Sequence, residues 1–123
     1  MHNSKQAVSV IMPAYNAAKY IAEAIELANG LKRQLYNIDY TDIVLCPPFT
    51  AISEVAEVIC ESNIQLGAQN LHWENEGAYT GEISAPMLKN AGCKFVIIGH
   101  SERRQFFGET NETINKKILA AIN

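Results

Sequence analysis

The chain has 123 residues, of which 48% are hydrophobic, and it carries a formal net charge of -3 at pH 7. This length and composition are sufficient for one domain with a buried core. The 10 lysines and arginines are scattered rather than clustered, so no basic stripe indicates nucleic-acid binding. No apolar run approaches the roughly 20 residues needed to cross a bilayer, and we expect no membrane span.

Three cysteines, Cys46, Cys60 and Cys93, lie far apart in the sequence. An odd number of cysteines without a signal-peptide pattern indicates free thiols, and we therefore predict a cytoplasmic protein. Neither these cysteines nor the histidines show Cys-x-x-Cys or His-x-x-x-His spacing, which zinc sites commonly have. The sequence thus predicts no metal site, and we expect no cofactor.

Four short apolar runs alternate with segments of helical periodicity along the chain. The runs are Ala7 to Met12, Ile43 to Cys46, Ile64 to Ala68 and Phe95 to Ile98. They are rich in β-branched residues and almost unbroken by polar ones, which is typical of parallel strands covered by crossover helices. The order predicts βαβαβαβα with right-handed crossovers.

The first two helices are predicted from apolar stripes. Asn16 is a good N-cap for the first helix, whose stripe consists of Ile21, Ile25, Ala28, Leu31 and Leu35. The second helix follows Pro47-Pro48, and its inner face consists of Ile52, Val55, Ala56 and Ile59. Both stripes should face the sheet.

Two further helices are predicted in the second half of the chain. Ser84 should cap a third helix that Gly92 ends. The last helix begins after Thr110 and places Ile114, Ile118 and Ile122 at intervals of four, which predicts an apolar stripe facing the sheet.

A long polar and aromatic connection, Leu71 to Glu82, separates the third strand from the third helix. Loops of this length are often functional or contact a partner, and a mobile surface loop is the other interpretation. We predict that His72 is a surface residue of this loop.

A set of motifs in the same order closely resembles one enzyme family. The motifs are Cys46 to Thr50, Gly67 to Asn70, Gly77 to Ser84, Gly99 to Arg104 and Phe107 to Thr110. Together they make residues from about Leu27 to Asn123 resemble the first half of triosephosphate isomerase.

The beginning of the chain departs from that family, whose first strand ends in Asn-Trp-Lys. The corresponding segment here, Ser9 to Asn16, contains no lysine. Residues 8–26 instead resemble the opening βα unit of a nucleotide-sugar glycosyltransferase, in which Tyr15 and Asn16 would contact a nucleotide base. A simple turn with Asn16 as N-cap remains the other interpretation. The hypothesis is a chimera joined near Leu27, either engineered or natural.

The predicted fold is a single α/β domain over residues 1–123, built of a glycosyltransferase-like unit (8–26) and three isomerase-like units (27–123). Its class is an open parallel sheet with helices on both faces, as half of a TIM barrel or as a flavodoxin- or Rossmann-like three-layer arrangement. Four units cannot close an eight-stranded barrel, so we expect a homodimer. The resemblance implies that Gly77, Tyr79 and Thr80 form a dimer contact.

The resemblance also implies which residues belong to the active site. His100 matches the electrophile, whose neutral imidazole polarises the substrate carbonyl in that family, and Glu102 matches a neighbour of the substrate lysine. The family's base glutamate, closing loop and phosphate site have no match here, which leaves triose phosphate binding in doubt. We predict a folded but catalytically incomplete domain. Two alternatives are a weak isomerase of glycolysis rescued by assembly and a nucleotide-binding glycosyltransferase remnant.

Overall fold

A computed structural model of the chain describes the backbone of residues 6–11 and 17–123 and the side chains of residues 8–10 and 21–123. The elements are β1 (Gln6–Ile11), α1 (Ala17–Leu35), β2 (Thr41–Cys46), a 3-10 turn (Phe49–Ala51), α2 (Ile52–Ile59), β3 (Ile64–Ala68), α3 (Ala85–Asn90), β4 (Phe95–Val96), α4 (Ser101–Phe106) and α5 (Asn111–Ile122). All four predicted strands are present. The fourth is shorter than its apolar run.

The four strands form one parallel sheet in the order β1-β2-β3-β4. The register pairs Leu45 with Leu66, and Gly67 with Phe95. A sequential order means that every crossover moves one strand further in the same direction, as in a barrel segment, whereas a doubly wound sheet reverses direction at a switch point. The predicted open parallel sheet is confirmed, and half of a barrel is the arrangement observed within that fold class.

The core lies between the sheet and the first two helices. Ile43 and Leu45 of β2 belong to this cluster, whereas Val44 and Cys46 are buried on the opposite face, as the alternation along a strand requires. The predicted inner face of α2 is confirmed, as are Ile21, Ala28, Leu31 and Leu35 of the predicted α1 stripe. Ile25, the fifth member predicted for α1, is only half-buried, and Ala24 belongs to the cluster in its place. The sheet face away from the helices admits no side chain at Gly67, where an added Cβ would lie 2.6 Å from Cys46 Sγ.

The predicted stripe of the last helix is wrong. Ile114 is buried, but Ile118 is 43% exposed and Ile122 is 72% exposed, and the second buried residue of α5 is Lys117. Each step of four residues turns a helix by about 400°, so successive members drift by about 40°. The covered face of the helix therefore carries Ile114 and Lys117, with Ala120 packed against the core, and the later isoleucines are turned outward.

The loop before α3 is more ordered than its composition suggests, and the prediction that His72 is a surface residue is wrong. His72 pairs with Ser84 as a parallel bridge, and its backbone N–H donates to the Ile83 carbonyl at 2.8 Å. The His72 ring lies 4.3 Å from the Trp73 ring and 4.7 Å from the Tyr79 ring, centre to centre. These two aromatic rings cover the imidazole, which explains its burial.

The three thiols should differ in reactivity. Burial, and to a lesser degree the neighbouring Cys93, raises the pKa of the Cys46 thiol to about 11. Burial also raises the pKa of the Cys93 thiol, whereas Cys60 is exposed. Since the thiolate is the nucleophile, iodoacetamide at pH 8 should modify Cys60 first and Cys46 last in the folded protein. Peptide mass mapping against time measures this order. Equal rates at Cys46 and Cys60 without denaturant would contradict it.

Candidate functional site

A cleft of about 590 Å³ opens at the carboxyl ends of β2, β3 and β4. Its lining includes Pro48 after β2, Gln69 and Asn70 after β3, and His100 after β4. In parallel α/β folds the loops at this end of the strands carry the binding and catalytic groups. This cleft is therefore the candidate active site.

His100 is positioned by the turn that joins β4 to α4. Gly99 has a φ of +71°, and a Cβ there would meet Ile114 Cδ1 at 3.1 Å, so this turn requires glycine on both conformational and steric grounds. His100 then serves as the N-cap of α4, and its Nδ1 accepts a hydrogen bond from the backbone N–H of Glu102 at 3.2 Å. A nitrogen that accepts carries no proton, so the neutral ring bears its proton on Nε2.

Glu102 lies in the first turn of α4, beside this imidazole. Its Oε2 is 3.8 Å from His100 Nδ1, and the side chain is largely exposed. Both residues line the cleft, so the fold brings the two predicted active-site residues together. Their roles in catalysis remain predictions.

An ionic cluster next to the cleft was missed by the sequence analysis. The Glu109 carboxylate accepts a hydrogen bond from Arg103 Nε at 2.6 Å and another from Lys117 Nζ, which also donates to Asn70 Oδ1 at 2.6 Å. The side chains of Glu109 and Lys117 are each 6% exposed. The available signal was a lysine three residues after Ile114, on the face of α5 that meets the sheet.

The charges of this cluster compensate one another. Burial of Glu109 raises the pKa of its carboxyl, but hydrogen bonds from Lys117 and Arg103, together with their positive charges, outweigh this effect and lower the pKa below its ordinary value. The cluster links the end of β3, α4 and α5, and it thereby fixes the helix whose N-cap is His100.

The predicted dimer contact lies outside the lining of this cleft. Tyr79 and Thr80 are exposed at the tip of the loop, where Gly77 has a φ of +133°. Tyr15 and Asn16 lie outside the described residues, so the structure leaves a nucleotide contact at these positions untested.

Comparison with known proteins identifies the family. The family model described as triosephosphate isomerase matches residues 9–123. The chain belongs to the triosephosphate isomerase family. Triosephosphate isomerase from Alkaliphilus oremlandii is 49% identical over 113 residues, which are 92% of this chain and 45% of the relative. The enzyme of Moorella thermoacetica is 58% identical over 91 residues, 74% of this chain and 36% of the relative.

A solved structure supports the same assignment. Triosephosphate isomerase from Bartonella henselae superposes with a TM-score of 0.77 at 32% identity, over 96% of this chain and 47% of that one. The chain thus spans less than half the length of these relatives.

The comparisons give no support to a glycosyltransferase segment. The match to the triosephosphate isomerase model begins at residue 9 and so includes nearly all of residues 8–26. One family therefore accounts for almost the whole chain, including the unit whose strand end lacks the family's lysine.

The described residues contain neither a candidate metal site nor a candidate membrane span. No group of three histidine, cysteine, aspartate or glutamate side chains there is placed to hold a metal ion. No helix within the described ranges is both long and apolar enough to span a bilayer.

Proposed function

We propose that this chain supplies the electrophile side of a triosephosphate isomerase site, and that the 123-residue polypeptide by itself does not isomerise triose phosphates. The observation that carries the proposal is the hydrogen bond from the Glu102 N–H to His100 Nδ1 at 3.2 Å. It leaves a proton on Nε2 of the neutral ring, available to a ligand in the cleft.

Isomerisation of dihydroxyacetone phosphate to glyceraldehyde 3-phosphate moves a proton between two carbons through an enediolate. As the negative charge develops on the carbonyl oxygen, a hydrogen bond from Nε2–H would stabilise it. A second group must remove the carbon-bound proton. His100 therefore supplies the electrophile of the reaction and not the base.

Among the described residues that line the cleft, no group is placed to remove the carbon-bound proton. The carboxylates that line it belong to Glu82 and Glu102. The Glu82 oxygen is 3.7 Å from Nδ1 of His72, and the Glu102 oxygen is 3.8 Å from Nδ1 of His100, so each lies beside an imidazole. The sequence at positions 12–16, where the family's lysine would be expected, contains no lysine. General-base catalysis is typically worth about 10² to 10⁴ in rate, and lost positioning of the substrate adds to that loss.

We expect the purified chain to show no triosephosphate isomerase activity above buffer. Glyceraldehyde 3-phosphate is supplied in an assay that couples dihydroxyacetone phosphate to NADH oxidation, with a full-length relative as positive control. Wild type and His100→Gln should give the same background rate. Turnover that His100→Gln abolishes would contradict the proposal and favour a weak isomerase rescued by assembly.

The electrophile assignment has its own readout, which does not depend on turnover. Nitrogen-15 NMR of the imidazoles should show His100 in the Nε2–H form, with Nδ1 unprotonated, and Glu102→Pro should remove this preference by removing the donating N–H. A folded wild-type protein with the proton on Nδ1 would overturn the assignment even if no activity is found.

A homodimer contact at the loop is a second proposal. The described loop presents Tyr79 and Thr80 at its surface, with Tyr79 anchored on the His72 ring. If this loop holds two chains together, deletion of Asn75 to Tyr79 should halve the mass measured by light scattering. An unchanged dimer after the deletion would contradict it.

The cellular setting follows from the same reasoning and is also proposed. Free thiols at all three cysteines are compatible with the cytoplasm, where triosephosphate isomerase acts in glycolysis. The chimeric origin stays a prediction that rests on the sequence of residues 12–16, which lacks the family's lysine.

A further inference from the structure

The backbone around His100 is held by Arg104, which lies in the last turn of α4. The Nε of Arg104 donates to the Gly99 carbonyl at 3.2 Å. The backbone N–H of the same residue donates to the His100 carbonyl at 3.1 Å. Because a peptide group is planar, the Gly99 carbonyl shares its plane with the N–H of His100. Arg104 therefore contacts the peptide groups on both sides of His100.

The guanidinium of Arg104 also binds the start of α5. Its Nη1 donates to Asn111 Oδ1 at 2.9 Å. Asn111 is the first residue of α5 and directly follows the N-cap, Thr110. The Thr110 N–H donates to Thr113 Oγ1 at 3.0 Å, and the Thr113 N–H donates to Thr110 Oγ1 at 3.3 Å. These reciprocal capping hydrogen bonds fix the backbone that carries Asn111.

The neighbouring Arg103 makes a different set of contacts. Its Nε donates to Glu109 at 2.6 Å, and its guanidinium lies 4.8 Å from the centre of the Phe107 ring. Successive residues of a helix point about 100° apart, so the two arginines leave α4 in different directions. The contacts of Arg104 are therefore separate from the buried cluster around Glu109.

The chemistry of arginine fits the position of Arg104. A guanidinium is planar and carries several N–H donors in a fixed arrangement, whereas the donors of lysine sit at one point on a flexible chain. It can therefore hold two acceptors, the Gly99 carbonyl and the Asn111 amide oxygen, at a fixed angle to each other. Both hydrogen bonds are exposed, and substitutions at exposed positions usually change the stability of a fold little. Their main consequence is the placement of the turn.

We propose that Arg104 is a positioning residue for His100 and that Asn111 holds Arg104 in place. The inference rests on the proposed function in one respect, that His100 is the group that meets the ligand. Arg104 is outside the lining of the cleft, so its effect on a ligand passes through His100. A functional side chain must be held within about 0.5 Å of its productive position. The Glu102 N–H restrains the imidazole, and Arg104 restrains the backbone that carries it.

Nitrogen-15 relaxation of the full chain tests the proposal at the backbone amide of His100. We expect an order parameter of about 0.85 in wild type, the value of rigid backbone, and a fall toward about 0.6 in Arg104→Met. This variant keeps the length of the side chain and removes its donors. The Ile114 amide, which donates to the Thr110 carbonyl at 2.9 Å in α5, should stay rigid in both proteins. Arg33→Met is the matched control, because Arg33 is exposed on α1, and it should leave His100 unchanged.

Variants of Asn111 add a test by rescue. Asn111→Ala removes the acceptor and should lower the order parameter of His100, whereas Asn111→Asp keeps an oxygen at Oδ1 and should restore the wild-type value. Hydrogen exchange of the Glu102 amide reports on the imidazole, because this N–H donates to His100 Nδ1. It should accelerate about tenfold in Arg104→Met and in Asn111→Ala, the effect of losing about one hydrogen bond, and not in Asn111→Asp.

Three results would overturn the proposal: an unchanged order parameter of His100 in Arg104→Met, an equal loss of order at His100 and Ile114, or no difference between Asn111→Ala and Asn111→Asp. Circular dichroism establishes that each variant is folded. The wild-type protein gives a measurement that needs no variant, since the Arg104 Nε–H should exchange more slowly than that of Arg33, and equal rates would also count against the proposal. Isomerase turnover, or a proton on Nδ1 of His100, contradicts the proposed function and leaves the order parameters as expected, so the two failures are distinguishable.

Discussion

Replacing Glu109 by glutamine should lower the free energy of unfolding by about 3 to 5 kcal/mol at pH 7, the usual result of breaking a buried ionic pair by removing one partner. The Glu109 carboxylate accepts hydrogen bonds from both Arg103 and Lys117, and the Lys117 side chain is 6% exposed. The variant would leave the ammonium of Lys117 buried without a negative partner. Urea unfolding followed by circular dichroism measures the loss.

The pH dependence follows from the sign of the pKa shift at Glu109. Because its pKa in the folded protein is below the ordinary value of 4.5, the carboxylate contributes stability that is fully present above about pH 4.5. That contribution is lost as the pH falls through the lowered pKa. The difference in stability between wild type and Glu109→Gln should therefore narrow below pH 4.5.

The control is Glu112→Gln, which breaks an exposed pair with Lys116 on the same helix. The Glu112 side chain is 79% exposed, so its loss should change stability by less than about 0.5 kcal/mol. Equal losses of stability in the two variants would show that the Glu109 cluster contributes no more to the free energy of unfolding than an exposed ion pair does.

Leu45→Ala should cost about 2 to 5 kcal/mol, since removing buried methylene groups loses transfer free energy and leaves a cavity. Leu45 is fully buried in the middle of β2, within the cluster formed by α1, α2 and β3. Domains of this size have total free energies of unfolding of about 5 to 15 kcal/mol, so this loss is a large fraction of the total.

The same urea titration measures this effect, with Met87→Ala as its control. Met87 is 55% exposed, and its truncation should change stability by less than about 0.5 kcal/mol. A loss below about 1 kcal/mol for Leu45→Ala would show that the interior around β2 relaxes to fill the space, contrary to the packing described here.

The apolar core was predictable because local periodicity and burial coincide in the first two βα units. The stripe of α1 and the inner face of α2 both pack against β2 and β3, as their spacing indicates. In α5 the same rule failed at Ile118 and Ile122. Spacing alone does not show how much of the apolar face of a helix is covered, and these two side chains are exposed.

Two features of the site region depended on side-chain contacts that spacing and composition do not indicate. Glu109 and Lys117 lie together with Asn70, which is 47 residues from Lys117 in the sequence. No local sequence pattern predicts this contact. His72 is buried because Trp73 and Tyr79 fold over it, although its loop has the composition of a surface segment. By contrast, His100 and Glu102 are two residues apart, and their motif was sufficient to place them together.

The sequence by itself determined the order of βα units, the parallel sheet, the family and the pairing of His100 with Glu102, because all of these follow from neighbours in the chain or from short motifs. Only the tertiary structure decided the strand order β1-β2-β3-β4, the burial of His72 and Lys117, and which apolar side chains of α5 remain exposed. Strand order and burial depend on which distant segments meet, and that is fixed by packing the whole sheet against its helices rather than by any local periodicity.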